Sequence, residues 1–194
     1  MQPPSEHVHW LFATGFLLLG LLLLAEAIVG REVWRRRTWR AYLWPSLLFG
    51  LGVLMWPVMV LFTNSTIHML AHSAWAQTIM FAGGAELGLL RGKLRNELWK
   101  LAMPLAFAVS GAAFLIHEAN PWFYARSAFV HHVCGWLLLG GALFPLGAAF
   151  KPKSVVFNAG VAVVFVAAAV ALYSSRDVAP VFGHLDRSAG VAHR

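Results

Sequence analysis

Apolar residues in this chain gather into long blocks, and short polar or basic stretches separate them. A run of about 20 apolar residues is what an α-helix needs to cross the hydrocarbon core of a bilayer. Six such blocks can be read, at residues 10–29, 42–62, 67–90, 98–116, 129–150 and 155–173. The second contains Pro57, which membrane helices tolerate, and the third follows "TNST", a helix-start signal. The pattern predicts an all-α integral membrane protein. Residues 1–173 would form a bundle of about six transmembrane helices, and residues 174–194 a polar C-terminal tail. No internal repeat or second domain stands out.

Composition agrees: 59% of the 194 residues are hydrophobic and only 12% are charged. The mean hydropathy is +0.67. A net charge of +7 would suit nucleic acid were it spread over a surface. Instead "REVWRRRTWR", "RGKLRNELWK" and "KPK" hold 11 of the 15 lysines and arginines. On a six-span path these three connections share one side, which the positive-inside rule makes cytoplasmic, leaving both termini outside. Trp34, Trp39, Trp44 and Trp99 flank the clusters and fit an interfacial aromatic belt. The expected location is the bacterial inner membrane, and the expected partners are the lipid bilayer and a membrane protein or second copy, with no nucleic acid. The start "MQPPSEHVH" lacks the basic region of a cleavable signal peptide. Cys134 is the single cysteine, so no internal disulfide can form. Neither a nucleophile-elbow pattern nor a Gly-rich phosphate loop followed by lysine is present.

The candidate chemistry lies in nine histidines. His7 and His9 precede the first block. His68 and His72, one helical turn apart in "TIHMLAHSAW", open the third. His117 closes the fourth, His131 and His132 open the fifth, and His184 and His193 lie in the tail. On the six-span path all nine fall on the outer side. A lone histidine at a membrane interface needs no special cause, and His9, His184 and His193 are read that way. Convergence of several spans at one depth points to a shared site, because ionisable side chains there usually face the bundle interior or a wet cavity. The candidate ligands are His7, His68, His72, His117, Glu118, His131 and His132. Glu118 could supply an oxygen, orient an imidazole, or pair with Arg126. Met69 could be a soft ligand or simple packing. Gly83-Gly84 and Gly140-Gly141 allow close helix approach, or make room for a flat cofactor. Glu26 is expected to reach toward Arg31; Glu86 could reach toward Arg91 in the same way. Glu86 lies fourteen residues after His72, roughly 21 Å further along a helix, which would also suit a proton or cation path.

With these residues in view, the chain resembles the eukaryotic transmembrane protein forty-five family of small multi-span proteins. The matching positions are His7 or His9, His72 in "MLAHSAW", His117 in "FLIHEANP", and His131 with His132 in "FVHHVCGW". "HEAN" departs from the family's second histidine in that motif. The resemblance implies an outward-facing histidine site and no particular activity. A looser likeness to bacterial copper-resistance membrane proteins rests on outward-facing His and Met residues.

Three functions follow as expectations. Neutral imidazoles would bind a transition-metal ion, copper by intrinsic affinity and zinc next, in metal handling or metal-dependent redox chemistry. Alternatively, His72 paired with His117, His131 or His132 would hold a b-type haem for electron transfer. The third expectation is an accessory subunit of a larger membrane complex.

Overall fold

The computed structural model describes residues 4–62, 66–117 and 125–176, and among them there is no strand. α1, Ser5–Val29, ends at Gly30, whose φ of 88° lies in the left-handed region where a side chain would be strained. That turn folds the short α2, Arg31–Arg35, back across the end of α1. α3, Thr38–Phe62, holds Pro45 and Pro57 within its length, and α4 spans Thr66–Leu90. A 3-10 turn at Glu97–Leu101, capped where the Asn96 side chain accepts from the Leu98 N–H at 2.9 Å, leads into α5, Ala102–His117. α6, Ala125–Gly141, and α7, Leu143–Phe150, follow almost end to end. α8, Val155–Tyr173, starts at Ser154, whose hydroxyl accepts from the Phe157 N–H at 3.5 Å.

Among the described residues, five helical segments are long and apolar enough to cross a membrane: α1, α3, α5 with its leading turn, α6 with α7, and α8. α4 matches α1 and α3 in length, at 25 residues, but is more polar. It carries Ser73, Gln77, Thr78 and Glu86 besides its histidines.

The long helices close into a ring. α1 packs on α3, α3 on α4, α4 on α5, α5 on α6, α6 on α8, and α8 back on α1. Phe12, Phe16, Leu19 and Leu23 of α1, Trp75 and Ile79 of α4, Cys134 and Leu138 of α6, and Phe165 of α8 fill its centre. Ile28, Val60, Leu105, Ile116, Trp136 and Val163 are exposed on the outside. Helices that are apolar on both faces suit a lipid surround, and the architecture is a helical membrane bundle. Of the glycines read as packing or cofactor room, Gly83 packs. A Cβ there would lie 2.7 Å from the Phe49 nitrogen and 2.8 Å from the Pro45 oxygen, so α3 and α4 touch backbone to backbone.

Candidate functional site

Three histidines meet at one end of the ring, each from a different helix. The His131 ring on α6 lies 5.6 Å from that of His9 on α1 and 6.5 Å from that of His72 on α4, centroid to centroid, with planes at 71° and 86°. His131 is 3% exposed and tilts against Phe114 of α5, at 5.5 Å. His9 and His72 border a cavity of about 40 Å³ together with His131, Phe16, Trp75 and Phe114. The buried stripe of each helix explains the meeting. His9 continues the Phe12, Phe16, Leu19, Leu23 stripe of α1. His72 continues Trp75, Ile79 and Ala82 of α4, and His131 continues Cys134 and Leu138 of α6.

His9 Nδ1 is 3.2 Å from the hydroxyl of Ser175, just past α8, and 3.4 Å from that of Ser5. Where Nδ1 donates to Ser175, the lone pair sits on Nε2, the tautomer a ligating imidazole needs. Trp10 donates to the Ser175 carbonyl at 3.2 Å, and Arg176 lies over the Trp10 ring at 5.1 Å. These contacts bring both ends of the described chain to the histidine end.

The other predicted ligands are placed differently. The His7 side chain is 57% exposed, and its ring lies 5.5 Å from Trp10. His132 is exposed, its Nδ1 3.0 Å from the Ala128 carbonyl oxygen, because neighbours on a helix diverge by about 100°. The side chains of His68, His117 and Arg126, and the whole of Glu118, His184 and His193, lie outside the described residues. Among the described residues no group of three His, Cys, Asp or Glu side chains is set to hold a metal ion.

No family model, curated protein or solved structure matches this chain.

The α1 and α4 stripes end on carboxylates at the opposite end of the ring. Glu26 of α1, 5% exposed, accepts from Arg31 Nε and Arg35 Nε of α2, each at 3.2 Å, and from Trp44 Nε1 of α3 at 2.6 Å. Glu86 of α4 accepts from Arg35 Nη2 at 2.6 Å, with Arg31 Nη2 at 3.9 Å. Glu26 therefore meets Arg31 as read from the sequence, whereas Glu86 takes Arg35 of α2. Arg91, its neighbour in sequence, instead lies over the Tyr42 ring at 5.8 Å. On the rim, Lys153 pairs with Glu32 at 2.9 Å and holds the Glu32 carboxyl below the usual glutamate range.

Sequence reading missed Ser5, Ser175 and Trp44, and took His9 as interfacial although the resemblance offered it beside His7. For His9 the signal was present: a helix starting at Ser5 puts it in register with Phe12 and Phe16. For Ser175 and Trp44 there was none, because their partners are far away in sequence.

Proposed function

We propose that this is a six-span inner-membrane protein that binds a transition-metal ion, copper first and zinc next, at an outward-facing site built on His9, His72 and His131. The convergence of these rings from three helices carries the reading. Two imidazoles sharing a near-tetrahedral ion at about 2.0 Å would place their centroids roughly 5.2 Å apart. The separations of 5.6 Å and 6.5 Å exceed that, so the rings would have to draw together around an ion. The basic clusters lie at the carboxylate end, so positive-inside logic puts the histidine end on the periplasmic side, with α4 as the sixth span, its Thr78 and Glu86 bonded to neighbouring helices.

A bare ion is favoured over haem by size. The cavity among the rings is about 40 Å³, against roughly 300 Å³ or more for a pocket that takes even a drug-sized ligand.

The test is metal content of the purified, membrane-extracted protein after loading with copper and dialysis. One ion per chain is expected, with nitrogen hyperfine structure in the Cu(II) spectrum. His72→Ala and His131→Ala should each lose most of it, and His132→Ala should retain it. Unchanged metal in the first two variants would overturn the reading, and a Soret band in the untreated protein would replace the ion with haem.

A further inference from the structure

A cavity of about 610 Å³ opens at the carboxylate end of the bundle, remote from the histidines. Four cations line it, Arg31, Arg35, Lys100 and Lys153, against three carboxylates, Glu26, Glu32 and Glu86. The lining thus carries one positive charge in excess. The rest of the lining is largely apolar, with Leu23, Met103, Pro145, Ala148 and Val161.

The charged groups fall into two sets. Arg31 and Arg35 are held in place by Glu26 and Glu86 through Nε of both and Nη2 of Arg35. A guanidinium has five N–H donors, so each arginine has donors beyond these bonds for an incoming oxyanion. Lys153 and Lys100 are held only by rim pairs, with Glu32 (87% and 78% exposed) and with Glu97. Exposed pairs of this kind are weak, so a stronger anion can draw both lysines inward.

A rigid pair of arginines, two movable lysines and an apolar floor fit a ligand with an oxyanion head and a hydrocarbon tail. Basic pockets between membrane helices at the basic face recognise anionic lipid headgroups by this chemistry. We propose that the cavity binds an anionic phospholipid. Its phosphate would sit among Arg31, Arg35, Lys100 and Lys153, and an acyl chain along Met103, Ala148 and Val161. A phosphate ester could also come from a soluble molecule, and the test separates the two sources.

Delipidated protein in detergent is unfolded by heat in the presence of a thiol-reactive dye, which reads exposure of the buried Cys134. Phosphatidylglycerol, phosphatidylcholine and glycerol phosphate are compared. At a hundredfold excess over Kd, phosphatidylglycerol should raise the midpoint by about 5 °C or more, and the other two should not. The Lys100→Gln/Lys153→Gln double variant, altered only at the rim, should bind phosphatidylglycerol roughly thirtyfold more weakly. Ala148→Trp, which fills the tail channel, should abolish the shift. Three outcomes would overturn the proposal: equal shifts with phosphatidylcholine, a full shift with glycerol phosphate alone, or a phosphatidylglycerol shift that survives in both variants. None of these outcomes bears on metal binding at the opposite end.

Discussion

Replacing Glu26 with alanine is the sharpest probe of how the basic end of the bundle is held. The carboxylate is 5% exposed and accepts from three donors, two of them charged. Removing one partner of a buried ion pair costs about 3–5 kcal/mol, because the other charge is left desolvated. Arg31 and Arg35 are 34% and 27% exposed, so water can reach them in part, which pulls the cost toward the lower end. Trp44 cannot be relieved in the same way. At 3% exposure its indole N–H would be stranded, which adds about 1–3 kcal/mol. The expected loss for Glu26→Ala is therefore about 4–6 kcal/mol. Glu86→Ala should cost only about 1 kcal/mol, since Glu86 is 18% exposed and its one short bond comes from a partly hydrated arginine. Glu26→Gln, which keeps an acceptor for Trp44 and loses the charge, should fall between them. Unfolding in mixed micelles of increasing denaturing detergent, followed by dye reaction at Cys134, gives the three values on one scale. If Glu26→Ala were no more destabilising than Glu86→Ala, or cost under about 1 kcal/mol, the buried-network account would fail.

Two further outcomes are expected. Gly83→Ala should cost about 1–3 kcal/mol, because its Cβ would press on the α3 backbone at 2.7 Å, whereas Gly84→Ala, 3.8 Å from the Phe49 ring, should be nearly neutral; the same detergent titration tests the contrast. The Glu32 carboxyl should titrate below the ordinary glutamate range in a carbon-detected NMR titration and return to it in Lys153→Met. Because the folded pKa is the lower one, the pair's contribution is present above the ordinary carboxylate range and is lost as pH falls through the depressed value; no change in the variant would show that Lys153 is not the cause.

Much of the fold was legible as pattern. Long apolar blocks separated by basic clusters specify membrane helices by length and hydropathy alone, and five of the six blocks meet both measures in the structure. The 67–90 block shows the limit of hydropathy. Its polar residues lower its mean hydropathy, and some of them serve contacts between helices: Thr78 lies 3.0 Å from Ser110 of α5 and Glu86 bonds Arg35, while Gln77 is exposed. The convergence of histidines was legible as shared depth along successive blocks, but depth does not say which way a ring points. His7 and His9 stand two residues apart and His131 and His132 one apart, and in each pair one is at the cluster and the other is exposed.

The sequence by itself determined the helices, their order and the two ends at which histidines and carboxylates collect, because each depends on local composition and a 3.6-residue period. Only the tertiary structure decided the partners. Ring closure through α1 and α8 brings Ser175 to His9, and the left-handed turn at Gly30 lays α2 over the end of the bundle. That turn gives Glu86 an arginine 51 residues away in place of its neighbour Arg91. Such pairings depend on where helices cross, and crossing is settled by side chains and backbones meeting across the ring rather than by the order of residues along any one helix.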